Sequence, residues 1–209
     1  MKATLYTTTG KTSKEIVLPK VLFEVTVKPQ LFAQAIRVIE DRLHRGANKA
    51  QTRGEVNRTT AKVYAQKHTG RARHGARSAP IYVGGGVAHG PKGILAAPLK
   101  LTKKMRRLSI LGALNLKAKS GDVALIDGLD KVGGKTAVVA TLLSRIAGND
   151  RSVLLLTSQR YSGLVKATKN LPQITLMPAT ATNVLKVLKT KKLIIDQAAL
   201  KPLEDWLTK

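Results

Sequence analysis

The chain has 209 residues, enough for one core-forming domain and an appendage, and it carries 37 Lys and Arg against 12 Asp and Glu. The net charge of +25 and a pI near 10.7 point to a polyanionic partner. Aromatic residues at 3% exclude a base-stacking sheet, and the absence of cysteine excludes disulfide scaffolds, thiolate-bound zinc, iron–sulfur clusters and thiol catalysis. No apolar stretch approaches the ~18 residues of a membrane helix and the N-terminus shows no signal-peptide core, so the sequence predicts a soluble, unexported protein without membrane contact. A transit-like N-terminus is not evident either, which favours a bacterial over an organellar source.

Residues 1–44 read as folded. Ala3–Thr7 and Glu15–Leu18 are short strand candidates on either side of the turn Thr9-Gly10-Lys11. Pro29 then opens a helix with Leu31, Phe32, Ala35, Ile36, Ile39 and Leu43 at three- to four-residue spacing, and Gly46 closes it. That stripe reads as core packing.

Residues 45–98 differ in kind. Only seven of them are Val, Ile or Leu, nine are Gly, and ten Lys and Arg face the single acid Glu55. Neither a helical nor a strand period survives, so the segment has too little to bury to offset the entropy of ordering it. Running out and back over about 27 residues each way, it could reach on the order of 90 Å. A basic, glycine-rich arm of that length fits a crevice in a large nucleic acid.

From about Leu99 the pattern alternates. Thr102 is placed to cap a helix running to Lys119, with Met105, Leu108, Leu111 and Leu116 as its apolar side. Val123–Asp127 reads as a strand, Thr136–Ala147 as a helix closed by Gly148, and Val153–Thr157 as a second strand. Leu164–Lys169, Asn183–Leu188 and Pro202–Leu207 are short helices, separated by the strands Ile174–Met177 and Lys192–Ile195. Near-continuous apolar strands alternating with helices imply an α/β fold, a mostly parallel sheet flanked by helices. The expected organisation is one discontinuous globular domain, 1–44 and 99–209, with the long extended basic loop 45–98 inserted.

Two motifs have ordinary explanations. Gly133-Gly134-Lys135-Thr136 follows a strand and opens a helix like a phosphate-binding loop, but Leu129 stands where the first glycine belongs. A helix start after a glycine turn is sufficient for it. His44, His68, His74 and His89 match no metal spacing, so no metal or cofactor is expected. The acids form no paired-carboxylate cluster, and no catalytic residue is assigned.

The strongest signal is Gln66-Lys67-His68-Thr69-Gly70-Arg71-Ala72-Arg73-His74-Gly75-Ala76-Arg77-Ser78. Closely spaced arginines fork onto phosphates, and glycines let backbones approach. Arg53, Arg58, Lys62, Lys67, Arg71, Arg73 and Arg77 are therefore candidate phosphate contacts, with Tyr64 and Tyr82 candidate base-stacking residues. Lys103, Lys104, Arg106 and Arg107 form a second basic cluster where the arm returns to the domain. Gly84-Gly85-Gly86 permits close passage of another backbone.

Thr52-Arg53-Gly54-Glu55-Val56, Gln66-Lys67, Thr69-Gly70-Arg71-Ala72-Arg73, Arg77-Ser78-Ala79-Pro80-Ile81-Tyr82, Gly84-Gly85-Gly86-Val87-Ala88-His89-Gly90-Pro91 and Lys103-Lys104-Met105-Arg106-Arg107-Leu108 together resemble the signature of the universal large ribosomal subunit protein four family, bacterial type. The resemblance runs through nearly the whole chain in order and is densest over 52–91. It implies a structural constituent of the large ribosomal subunit in the cytoplasm. Such a protein binds 23S-type rRNA early in assembly, touches neighbouring large-subunit proteins, and threads its loop to the peptide exit tunnel. Lys62 and Tyr64 would then line the tunnel and meet nascent peptide. The family usually has Trp-Arg at Tyr64-Ala65, Gly at His68 and Trp at Tyr82. A regulatory RNA-binding protein that does not reside in the ribosome is the alternative left open by the residues alone.

Overall fold

The computed structural model describes residues 1–43, 46–94, 97–148 and 152–208. By the density of its internal contacts the chain divides into two compact units, 1–40 with 100–209, and 41–99.

The first unit is built on a six-stranded sheet. Its strands are β1 (Lys2–Tyr6), β2 (Thr12–Val17), β3 (Val123–Ile126), β4 (Val153–Thr157), β5 (Ile174–Pro178) and β6 (Lys192–Asp196), in the order β2-β1-β3-β6-β4-β5. Only the β1–β2 hairpin is antiparallel; it turns through Gly10, whose amide donates to the Thr7 carbonyl at 2.9 Å. β1 continues parallel to β3, β3 to β6, β6 to β4 and β4 to β5. The mixed, mostly parallel sheet is the α/β fold that the alternating pattern implies.

Every residue of β3 and β4 is buried, as expected of strands covered on both faces. One face carries α4 (Thr136–Ala147) and α5 (Ser162–Thr168), whose Val139, Leu142, Ile146, Leu164 and Ala167 close over Ala124, Ile126, Leu155 and Ile194. The other carries α1 (Lys20–Phe23), α2 (Pro29–Leu43), α3 (Lys103–Lys119), α6 (Val184–Lys189) and α7 (Leu200–Thr208). There Leu22, Phe23, Ala35, Ile110, Leu114, Val187 and Leu203 pack on Leu125, Leu154, Leu156, Leu193 and Ile195. α1 is a one-turn helix with no signature in the sequence. The expected end of α2 at Gly46 runs through His44 and Arg45, which lie outside the described residues.

α3 differs from the sequence expectation. Thr102 caps it by accepting from the Met105 amide at 3.3 Å, as expected. Its buried side, however, is Ser109, Ile110, Gly112, Ala113, Leu114 and Asn115, while Leu108 and Leu116 are 41% and 46% exposed. The helix packs through its small residues because α1, α2 and α6 crowd against it. A Cβ on Gly112 would stand 2.6 Å from Val27 Cγ2 and 2.9 Å from Phe32 Cζ. Leu111 and Leu114 do meet the core, so of the expected apolar side it is Leu108 and Leu116 that face away from it.

The second unit has no apolar core among its described residues. Between residues 46 and 94 only Ser78 and Gly86 are buried. What joins its two limbs is hydrogen bonding beside solvent, where each bond contributes little net. In the free protein, amide exchange should be fast across 46–94 and strongly protected in Val123–Ile126 and Val153–Thr157. Protection in the arm equal to that of β3 and β4, measured without RNA, would contradict this.

Candidate nucleic-acid interface

The arm closes on itself in stages. Near its base the Leu99 amide donates to Asp41 Oδ2 at 2.8 Å, Gly93 N to Asn48 O at 3.1 Å and Ala50 N to Pro91 O at 2.9 Å, and Lys49 bridges Lys92 in antiparallel register. Further along, Val87 N donates to Gln51 O and Gly86 N to Ser78 O. A second antiparallel bridge joins Lys62 to Ala76, with Val63 N donating to Gly75 O at 3.1 Å. The chain reverses between them, so Tyr64–His74 forms the terminal loop and Lys62 stands at its neck. In that loop Tyr64 donates its hydroxyl to the Ala72 carbonyl, and Lys62 donates to Gln66 Oε1.

His68 has φ +64° and Gly70 φ +63° in the same loop. A glycine adopts the left-handed region freely, whereas a histidine there is strained. The departure from glycine at position 68 thus falls on a backbone that suits glycine.

The glycine triplet does what close passage requires. A Cβ on Gly85 would overlap the Ala79 carbonyl oxygen, and one on Gly86 would overlap the Arg53 amide nitrogen. Both obstacles are backbone, which cannot swing aside as a side chain can.

Glu55, the arm's one acid between 46 and 94, is an internal fastener. Its carboxylate takes an ion pair from Lys49 at 2.8 Å and hydrogen bonds from the Thr52 amide at 3.0 Å and hydroxyl at 3.1 Å. The Lys49 ammonium first, then the two Thr52 donors, hold the Glu55 pKa at about 2. Depression below the unfolded value means the fastener is fully present above about pH 4.5 and is lost as pH falls through about 2. A side-chain NMR titration of Glu55 should show that low midpoint; a midpoint near 4.5 would mean the carboxylate is free in solution.

The candidate contact residues fall into two groups. Arg58 is engaged inside the arm, donating Nη1 to the Val83 carbonyl at 3.0 Å and the Arg77 carbonyl at 3.4 Å, and Lys62 is engaged with Gln66. Arg53, Lys67, Arg71, Arg73 and Arg77 are exposed, and no side-chain hydrogen bond or ion pair holds them among the described residues. The tyrosines face inward. The His74 ring makes edge contacts with Tyr64 at 6.1 Å and with Tyr82 at 5.3 Å, joining the three rings in a Tyr64–His74–Tyr82 cluster. The Tyr82 hydroxyl is buried without a hydrogen-bond partner among the described residues. Sequence reading missed both Arg58's internal role and His74; neither has a periodic signature, because both depend on which limbs meet.

In the globular unit, Lys103, Lys104, Arg106 and Arg107 occupy the first turns of α3. The positive end of the helix dipole disfavours cations there, by ~0.3–1 kcal/mol each. An anion bound there would offset both the dipole and the mutual repulsion of the cations. Gly133–Thr136 starts α4 with Lys135 as its N-cap residue. At the carboxyl ends of β4 and β6, Ser158 Oγ lies 2.7 Å from the Tyr161 hydroxyl, which donates to the buried Asp196 at 3.3 Å. Burial pushes the Asp196 carboxyl up. This staple between two strands was not legible in the sequence. Among the described residues no group of His, Asp and Glu is placed to hold a metal ion, and no helix is long and apolar enough to cross a membrane.

Comparison with known proteins gives the chain's family. Proteins called large ribosomal subunit protein uL4 from Brucella ovis, Brucella canis and Brucella melitensis biotype 2 are each 34% identical over 205 residues, covering 98% of this chain and 98% of each relative. The model of the ribosomal protein L4/L1 family matches residues 16–206, and the chain belongs to that family.

Proposed function

We propose that this chain is a structural constituent of the large ribosomal subunit that binds 23S-type rRNA through its arm. Family membership carries the first part; it is a ribosomal protein family and not an enzyme family. The free arginines on a coreless arm support the second. Arg53, Lys67, Arg71, Arg73 and Arg77 neutralise phosphates, and Lys103, Lys104, Arg106 and Arg107 take a phosphate at the start of α3. Arg58 and Lys62 shape the arm and offer their remaining donors. Tyr64 and Tyr82 act through His74, keeping the loop in form, and stack on bases only if the triad opens.

Among the described residues no backbone–backbone hydrogen bond holds residues 64–74, and this terminal loop is the part suited to reach the exit tunnel and meet nascent peptide. On this geometry Tyr64 and Lys67 lie on the loop itself, and Lys62 at its neck. Neighbouring large-subunit proteins and a place in the cytoplasmic ribosome follow from the same reading. Sucrose-gradient sedimentation of a lysate tests it. The chain should follow the large-subunit peak; a chain found only with light fractions would favour the non-ribosomal regulatory protein.

A further inference from the structure

The sheet ends in a groove. β5 is an edge strand, paired with β4 alone among the described residues, and α5 lies against it. Between α5 and β5 a groove of about 580 Å³ opens at the surface, within the ~300–1,000 Å³ of ligand sites. Its apolar wall is Val165, Leu171, Pro172, Ile174, Leu176 and Pro178, all aliphatic. Leu171 and Leu176 rest on the core and stay half-buried.

Two cations mark the ends of this groove. Arg160 stands between β4 and α5, on the side where the strands finish with Thr157 and Pro178. Lys169 caps the end of α5, where the chain turns through Leu171 and Pro172 into β5. From Ile174 to Pro178 the strand covers about 13 Å at the usual rise per residue. Both cations are exposed, and no side-chain hydrogen bond or ion pair holds either among the described residues. None of the residues lining the groove is acidic.

The outer edge of β5 is poorly made for an added strand. Gln173 O accepts from the Val153 amide, so residues 173, 175 and 177 turn their backbone to β4 and residues 174, 176 and 178 turn theirs outward. Of these three, Ile174 already gives its amide to Leu171 O and Pro178 has none to give. Recognition here therefore rests on side chains in the groove rather than on strand pairing. RNA suits it poorly too. The lining has no aromatic ring for a base, and aliphatic wall separates the two cations instead of placing them side by side for successive phosphates. A second copy of the chain is repelled by its net charge of +25. An aliphatic body with carboxylates towards its ends meets every condition, because it covers apolar surface and pairs both cations.

We propose that the groove between α5 and β5 docks a short acidic, aliphatic segment of a partner protein in the large subunit, with its carboxylates on Arg160 and Lys169. This rests on the large-subunit reading above and gives the globular unit a protein-facing surface of stated chemistry.

Zero-length carbodiimide cross-linking of intact large subunits tests it, since the reagent joins an amine only to a carboxylate in contact with it. Lys169 should be recovered joined to an Asp or Glu of another protein, in a segment that carries aliphatic residues. R160E leaves Lys169 in place but sets an acid against the incoming carboxylates, and it should abolish that cross-link, whereas R160K should keep it. Both variants should still sediment with the large subunit, because their arm is unchanged. Lys169 left unjoined in subunits that contain the chain, joined to a second copy of it, or joined equally well in R160E would overturn the groove and leave the ribosomal reading standing. Ultraviolet cross-links from Arg160 or Lys169 to rRNA would do the same. A chain missing from the large-subunit peak would remove the ribosomal reading, and the proposed docking with it.

Discussion

Replacing Arg71, Arg73 and Arg77 together by alanine is expected to stop the chain from entering large subunits while leaving its globular unit folded. All three side chains are exposed and unpaired among the described residues. Charge-assisted contacts to phosphate are worth ~1.5–3 kcal/mol each, so losing three removes on the order of 5 kcal/mol, a few thousandfold in affinity. The arm should keep its form, because what Arg77 gives to Arg58 is a backbone carbonyl that alanine retains. The globular core, closed by Leu125, Leu154 and Leu193 on one face, shares no residue with this segment. Thermal unfolding should be unchanged and gradient profiles should show the variant absent from the large-subunit peak. Normal incorporation would mean that these arginines are not the phosphate contacts.

Gly85→Ala with Gly86→Ala should be nearly as damaging, by a different route. No charge is lost, yet each new methyl would overlap a backbone atom, Ala79 O for one and Arg53 N for the other. Overpacking typically costs about 1–3 kcal/mol even where side chains can adjust, and here backbone must move. The arm has no apolar core to absorb that, so its limbs should separate at Ser78–Gly86 and Gln51–Val87. Arg58 should be released with them, since its acceptor Val83 adjoins the triplet and its neighbour Gly84 is the triplet's first residue. We expect rRNA affinity to fall at least tenfold with every arm cation still present, the loss being of preorganisation. Wild-type affinity would show that the arm takes its form from RNA alone.

How much was legible differs between the two units, for a physical reason. β3, β4 and β6 announce themselves through the short apolar runs 123–126, 153–156 and 193–195, because strands buried on both faces have no alternation to obscure them. Thr102 and Asn183 mark helix starts through local hydrogen bonds, which need no tertiary knowledge. Strand order was not legible, since β6 lies between β3 and β4 and nothing local to Lys192–Asp196 encodes that insertion. The face of α3 was misread because close helix contact selects Gly112 and Ala113, which carry no hydrophobic signal.

In the arm, composition revealed a polyanion binder but not its internal order. Arg58, Glu55 and His74 read as members of a charged or polar run, and only the pairing of limbs separates fasteners from free cations. The tyrosines show the same lesson: sequence suggests stacking on bases, and His74 already occupies their edges.

The most direct test of the arm's place in RNA is ultraviolet cross-linking of intact large subunits, with the joined peptides and nucleotides identified. Arm peptides spanning Arg53–Arg77 should be recovered on large-subunit rRNA, with Lys67 and the loop around it cross-linked to different nucleotides from Arg53. Recovery of RNA on peptides of the globular unit alone, with the arm unmodified, would contradict an arm threaded through rRNA.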